Sequence, residues 1–427
     1  MTGIEKDNKN PIGFKQNFSW LKLMFYAALG LIALIDILRW NYLYQEGFYF
    51  QTPDGDLYLS IADNMIQNGH FVETISGDGA VYPFGLPFIC LVIKLIFGTE
   101  ARGIYVILMV QYILYGATVL MIARTAEKIS GNILGALAAF YIFRYLQRII
   151  QFPNPAAILT ETYTAFFITG ILFIWICMDI WTKEKKLEIS VILSFVSTCI
   201  RPVMMICIIL FGAPLSYLVF QKKYSIRRFC IIILTFSVVL LTNTLVNYRE
   251  IGHYVMMENY GGRLSYIANN PNTSIASYAS SLTSDFTDQR YKDIANDASL
   301  DTTEANETYK KEASQFIRTH IRLVLRNTII KYSQLYNIRN AYNIYVFGLS
   351  LIILLTTGHF SLHKAAVILL LFIACTIIPS FGLYIPRYGM PCILFYSIIL
   401  ASVIGTLWNK LAAWIKAVIR IESRRIP

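Results

Sequence analysis

The chain has little charge and few of the residues that build metal sites or disulfide frameworks. Only 15% of its 427 residues are charged and 56% are hydrophobic, against about 25% charged in ordinary soluble domains. The five histidines are scattered and the seven cysteines contain no C-x-x-C spacing, so neither a zinc site nor a disulfide framework is indicated. The first apolar run lacks a small-residue cleavage site, so we expect it to stay as a transmembrane helix.

Basic residues are missing from one long stretch. No Lys or Arg occurs from residue 41 to residue 93, which contains six acidic residues, whereas the chain as a whole has a net charge of +11. Short basic loops of membrane proteins stay in the cytoplasm. We therefore expect the stretch to lie outside an inner (plasma) membrane and both termini to be cytoplasmic. The same rule explains the positive charge without a nucleic-acid partner.

The apolar runs predict an all-α, polytopic membrane protein of about ten transmembrane helices. The predicted spans are 23–38, 103–122, 134–150, 158–181, 189–200, 203–220, 229–246, 341–355, 366–383 and 390–407. The run 84–97 is too short to cross and predicts a re-entrant or interfacial helix. The spacing of apolar residues in 52–71 predicts a short amphipathic helix in the first outer loop.

This topology divides the chain into five segments. They are a cytoplasmic tail (1–22), a transmembrane module (23–246) that includes the first outer loop (41–83), an extracytoplasmic segment (247–339), C-terminal transmembrane helices (340–409) and a basic cytoplasmic tail (410–427). In the extracytoplasmic segment, the composition predicts a loop at 285–312. A basic amphipathic helix is predicted at 312–335, in contact with membrane lipids.

Acidic and arginine side chains gather at the outer rim of this topology. Asp54 and Asp56 lie in the first outer loop, and Glu161 begins a span. The arginines expected at the same rim are Arg144, Arg148, Arg201 and Arg387. Arginine makes bidentate contacts to phosphate, and a carboxylate can accept the proton of an attacking hydroxyl. The combination predicts a reaction on a lipid-linked phosphate.

Each residue type at the rim also has a structural interpretation. Asp54 and Asp56 could cap the helix that follows them. Glu161 could hydrogen-bond the first loop without reacting. Arg144 and Arg148 could extend their guanidinium groups to lipid headgroups.

Several short motifs, in this order along the chain, support the enzymatic interpretation. The first loop contains the pattern Asp-x-x-x-Tyr-x-x-Ile-Ala, from Asp54 through Tyr58 to Ala62. The turn that begins at Tyr82 contains Pro-x-Gly-x-Pro. Later motifs are Leu-Thr-Glu at 159–161, Arg-Pro at 201–202 and Arg-Tyr-x-x-Pro at 387–391. In these motifs the chain resembles the GT-C superfamily of membrane glycosyltransferases, closest to the branch of protein mannosyltransferases and lipid A aminoarabinose transferases.

The resemblance implies an inverting transferase that moves a sugar from a polyprenyl-phosphate carrier to a hydroxyl of a lipid, glycan or protein acceptor. It implies Asp54 as the general base. The substrate-binding residues that it implies are Tyr58, Tyr82, Glu161, Arg201, Arg387, Tyr388, Arg144 and Arg148. No large soluble C-terminal domain like that of the oligosaccharyltransferase relatives is expected.

No cofactor is required by this resemblance. The triplet Asp-Gly-Asp at 54–56 also matches the Asp-x-Asp pattern that holds a divalent metal in other glycosyltransferases. A metal ligand at Asp56 is therefore an alternative, although it is not the favoured one.

Two other functions compete with the transferase. A transporter or flippase of lipid-linked glycans predicts charged or broken helices near the bilayer centre, in matched halves of the chain. The rim charges and the lack of an internal repeat favour an enzyme over this class. A glycan polymerase or ligase that uses the same donors stays open.

Overall fold

The computed structural model describes residues 20–45, 51–72, 81–150, 153–259, 261–271, 289–297, 299–335, 344–358, 360–381 and 390–422. In this part of the chain the protein is built from α-helices. In order they are α1 (Trp20–Gln45), α2 (Pro53–Asn68), α3 (Gly85–Phe97), α4 (Ala101–Ser130), α5 (Ile133–Ile150), α6 (Thr160–Cys177), α7 (Lys183–Ile200), a 3-10 turn (Pro202–Met204), α8 (Met205–Phe220), α9 (Ile226–Ile251), α10 (Gly261–Ala268), α11 (Gln289–Ala295), α12 (Thr302–Thr319), α13 (Ile321–Leu335), α14 (Ile344–Thr356), α15 (Leu362–Phe381) and α16 (Met390–Glu422).

Six helices of the described residues are long and apolar enough to cross a membrane. They are α4, α5, α6, α8 with its 3-10 turn, α9 and α16. Each coincides with one predicted span, and α1, α3, α14 and α15 contribute shorter apolar helices. On α9, large apolar side chains such as Leu234 and Leu241 are exposed along the helix. Such a surface suits lipid rather than water, so the all-helical fold is compatible with a membrane protein.

The centre of the bundle is formed by α4, α5, α6 and α16. Helix α16 packs against α5 and α4, and α4 packs against α6. The close approach depends on Gly405, because a Cβ there would lie 2.7 Å from the Ser130 Cβ and 3.1 Å from the Gly135 Cα. Small residues allow helix backbones to approach in this way. The Asn409 side chain then donates a hydrogen bond to the Ser130 carbonyl at 2.9 Å.

Polar contacts between helix termini define two ends of the bundle. At one end, Glu127 of α4 accepts hydrogen bonds from Tyr26 and, at 3.0 Å, from Lys22 of α1. Lys128 at that end lies 2.6 Å from Asp179, which follows α6. The starts of α2 and α6 and the end of α7 meet at the other end, as described below. We name these the basic end and the Asp54 end.

The structure corrects several predicted boundaries. The described residues of the predicted loop 285–312, which are 289–297 and 299–312, contain α11 and the first part of α12. Asp301 and Glu304 form a reciprocal capping box that starts α12. The predicted helix 312–335 is two helices that are separated at His320. Thr319 hydrogen-bonds back to the Gln315 carbonyl at 2.9 Å, an interaction that bends helices. Helix α16 also continues to Glu422, into the predicted tail.

We expect Gly405→Ala to lower the free energy of unfolding by about 1–3 kcal/mol, because the added methyl group overpacks the contact between α4 and α16. The control is Gly348→Ala on α14, where an added Cβ meets no atom within 4 Å. Thermal unfolding of the two variants in detergent measures the difference. Equal stability of the two variants would contradict the packing assignment.

Candidate functional site

The start of α2 carries the two carboxylates of the first loop that are candidates for the site, Asp54 and Asp56. Thr52 is the N-cap, and its side chain accepts a hydrogen bond from the Gly55 N–H at 3.0 Å. Asp54 and Asp56 therefore lie inside the first turn rather than ahead of the helix, and the capping interpretation is wrong for both. Acidic residues in a first turn are stabilised by the positive end of the helix dipole. Asp56 also accepts a hydrogen bond from Gln51 at 3.0 Å.

The first turn of α2 lies directly against the segment that leads into α6. A Cβ on Gly55 would be 3.2 Å from the Ile158 carbonyl oxygen, so a larger residue would push the two backbones apart by a few tenths of an ångström. The motif that contains Asp54 and the motif Leu-Thr-Glu at 159–161 are thereby neighbours, although about one hundred residues separate them in the chain.

Glu161 and Arg201 form an ion pair at the same end of the bundle. The Arg201 Nη1 lies 3.3 Å from the Glu161 Oε1, and the two side chains are 15% and 3% exposed. Glu161 is in the first turn of α6, and Arg201 is the C-cap of α7. The pair joins two of the predicted motifs and fixes the side chains of both at the edge of the buried region.

The start of α3 rests on the last turn of α7. A Cβ on Gly85 would lie 2.7 Å from the Cys199 carbonyl group, so this glycine is required by the close approach of the two backbones. The turn that contains Pro83, Gly85 and Pro87 is thus placed next to Arg201. Four segments predicted to form the site, at α2, α3, α6 and α7, converge on one end of the bundle.

A non-helical segment between α5 and α6 is completely buried. Residues 153–159 are all buried, and their carbonyl groups are held by two glutamines. Gln111 of α4 donates hydrogen bonds to the carbonyls of Pro155 at 3.1 Å and Ala157 at 3.0 Å. Gln147 of α5 donates to the Pro153 carbonyl. Without such donors a buried segment of this kind would be unstable.

Arg144 and Arg148 lie one helical turn apart on α5 but in different surroundings. Arg144 is 4% exposed and donates hydrogen bonds to the Tyr115 hydroxyl and to the Gln147 Oε1. The structural interpretation requires the Arg144 guanidinium group to extend to lipid headgroups. The buried position of Arg144 contradicts this interpretation. Arg148 is exposed, and both interpretations stay open for it. The contacts of Arg144 connect it to the glutamine that holds the buried segment.

Two of the three predicted site tyrosines, Tyr58 and Tyr82, belong to one hydrophobic cluster. Tyr58 is buried, and Tyr82 packs against the same cluster, which includes Tyr163 of α6 and Ile200 of α7. Next to Tyr82, the Val81 N–H donates to the Asn259 side chain at 2.7 Å. Asn259 in turn donates to Thr303 at 3.0 Å. The segment that carries α10 to α12 is thereby attached beside the site.

The sequence did not reveal the ion pair that joins α2 to α3. The Lys94 Nζ lies 2.7 Å from both carboxylate oxygens of Asp63, and Lys94 is 2% exposed. Gln111, Tyr115 and Gln147 were missed as well. The sequence did contain one indication of these contacts, because each of these residues is a polar residue inside an otherwise apolar helix. Burial of such a side chain is unfavourable unless it has a hydrogen-bond or ion-pair partner.

Two predicted site residues, Arg387 and Tyr388, lie outside the described residues, and their assignment stays a prediction. Among the residues that the structure describes, no group of three or more His, Cys, Asp or Glu is arranged to hold a metal ion. The metal alternative at Asp56 is not tested by that observation.

No protein family model, curated protein or solved structure matches this chain. The resemblance to the GT-C superfamily therefore rests on the sequence motifs alone.

We expect Asp63→Asn to destabilise the protein by about 1–3 kcal/mol, because it leaves the buried Lys94 ammonium without its counter-ion. The double variant Asp63→Asn, Lys94→Met should recover most of this loss, since it removes the unpaired charge. Chemical unfolding of the wild type, both single variants and the double variant measures the coupling. Additive losses in this cycle would show that the pair does not join α2 to α3 energetically.

Proposed function

We propose that this protein is a glycosyltransferase of the membrane, which moves a sugar from a polyprenyl-phosphate donor to an acceptor hydroxyl. The observation that carries the proposal is the convergence of the predicted motifs at the Asp54 end. Gly55 brings α2 to α6, Gly85 brings α3 to α7, and the ion pair of Glu161 and Arg201 joins α6 to α7.

Asp54 takes the role of general base in this proposal. It accepts the proton of the acceptor hydroxyl while the hydroxyl oxygen attacks the anomeric carbon of the sugar. The bond between that carbon and the phosphate oxygen breaks on the opposite face, so the configuration inverts. The departing lipid phosphate gains negative charge and is stabilised by fixed cations. Arg201 is the described residue best placed for this task, because Glu161 orients its guanidinium group.

The Asp54 end is the extracytoplasmic end in this proposal. Support comes from the charge distribution, since Lys22, Arg124, Lys128 and Lys364 all make their contacts at the basic end. Basic residues are retained on the cytoplasmic side of inner-membrane proteins. The number of spans is proposed as ten, with α1, α7, α14 and α15 added to the six helices named above.

We expect Asp54→Asn to reduce kcat by about 100-fold or more, because the amide cannot accept the proton in the transition state. The matched control is Asp56→Asn, two residues along the same first turn, which should retain most of the activity. Transfer from a panel of polyprenyl-phosphate sugars to acceptors, measured with purified protein, gives both values.

Normal transfer by Asp54→Asn would exclude the base assignment. The reverse order of the two variants, together with loss of wild-type activity in a chelator, would instead support the metal alternative at Asp56.

We expect Arg201→Gln to lower kcat/KM for the donor by about 10-fold to 100-fold, since a charge-assisted contact to phosphate is lost. The KM for the acceptor should change little. Arg102→Gln, in the exposed first turn of α4, is the control for loss of an arginine near the same end, because Arg102 belongs to none of the predicted motifs. A larger effect on the acceptor than on the donor would contradict the phosphate role.

A further inference from the structure

A second polar site lies at the basic end, far from Asp54 along the bundle. A cavity of about 560 Å³ is formed between the first three turns of α7 and the turn that joins α8 to α9. Its volume is in the range of cavities that hold small molecules, about 300–1,000 Å³. The turn is fixed by Lys222, which adopts φ +57°, and by the Lys223 N–H, which donates to the Leu218 carbonyl at 2.9 Å.

The polar lining of this cavity carries both signs of charge. The acidic and basic residues that line it are Glu184, Lys185, Glu188, Lys223 and Arg228. Two of them are engaged locally. The Lys185 ammonium lies 4.6 Å from the centre of the Trp181 ring, and hydrogen bonds from its own backbone N–H and from Thr182 lower the pKa of Glu184.

Glu188, Lys223 and Arg228 are the charged side chains that remain for a ligand. They form no salt bridge within the part of the chain that the structure describes. A single anion in the cavity would meet the Glu188 carboxylate, and a single cation would meet Lys223 and Arg228. A ligand that carries a phosphate and an amine satisfies all three.

Tyr224 adds a buried donor to the same cavity. Its side chain is 9% exposed, and its hydroxyl has no hydrogen-bond partner of good geometry among the described residues. Burial and the nearby Glu188 carboxylate raise the pKa of Tyr224 to about 12, so the hydroxyl is neutral and keeps its proton at physiological pH. A buried hydroxyl that lacks a hydrogen-bond partner is unfavourable, and a ligand oxygen would supply that partner.

The rest of the lining is apolar and continues along α7. Ile189 and Ile192 line the cavity, and Ile192 is 37% exposed. They lie further from the basic end than the charged residues, in the direction of the apolar part of the bundle. The cavity thus has a polar part at the membrane surface and an apolar part toward the bilayer. This arrangement matches a lipid, which has a polar headgroup and apolar acyl chains.

We propose that this cavity binds the headgroup of an aminophospholipid, with the phosphate at Lys223 and Arg228 and the primary ammonium at Glu188. The Tyr224 hydroxyl donates to a phosphate oxygen. The acyl chains lie along Ile189 and Ile192. The site is separate from the proposed transferase site and does not depend on that reaction.

Native mass spectrometry of the full chain tests the proposal. The delipidated protein is incubated with phosphatidylethanolamine, phosphatidylcholine or phosphatidylglycerol of identical acyl chains. We expect phosphatidylethanolamine to be retained about tenfold better than either, since each of the others lacks one charge-assisted hydrogen bond. Glu188→Gln should abolish this preference, and Arg228→Gln should weaken all binding.

Arg227→Gln is the matched control, because Arg227 is the exposed neighbour of Arg228 and does not line the cavity. The melting temperature of each variant verifies that it is folded. Equal retention of phosphatidylglycerol, or displacement of every lipid by inorganic phosphate, would show a simple anion site and overturn the proposal. Equal retention of phosphatidylcholine, or an unchanged preference in Glu188→Gln, would overturn the role of Glu188.

Discussion

The candidate site depends on the burial of one segment without helical structure. Residues 153–159 run through the interior, where each unpaired carbonyl group would be costly. Gln111 and Gln147 supply the donors, and Gln147 is itself positioned by Arg144 and Tyr115. The segment in turn sets where α6 begins. The position of Glu161, and of everything paired with it, follows from these hydrogen bonds.

The ion pair of Glu161 and Arg201 lies at the point where the buried segment leads into α6. A buried ion pair contributes little to stability once the desolvation of both charges is counted. The ion pair instead fixes the positions of the two side chains, which orient each other at the end of a hydrophobic cluster. Glu161 is almost fully buried, whereas Arg201 keeps part of its side chain exposed. That asymmetry suits a cation that meets a ligand and an anion that holds the cation.

The sequence predicted the helices better than the contacts. The apolar run 84–97 became α3 within one residue at its start, because hydrophobic length is a local property. The topology alone predicted that α2, α6 and α7 converge at one rim. It did not predict which side chains contact each other there. Nothing local indicates that Lys94 pairs with Asp63 or that Gln111 binds the carbonyl groups of residues 155 and 157, because these contacts join positions up to 46 residues apart. The break at His320 was missed because the apolar pattern continues across it.

Helix α2 is held on several sides, and these contacts fix the helix that carries Asp54, the base of the proposed reaction. Gly55 fixes its start against α6, Asp63 fixes its middle to α3 through Lys94, and the Gly69 carbonyl at its end accepts a hydrogen bond from Arg249 of α9 at 2.6 Å. A reacting group needs such support from packing and hydrogen bonds. The segment with α10 to α12 meets this platform only beside it, at Val81 and Asn259. A change in the shape of this segment therefore leaves Asp54 in place, and in the proposed transferase it would change which acceptor is admitted.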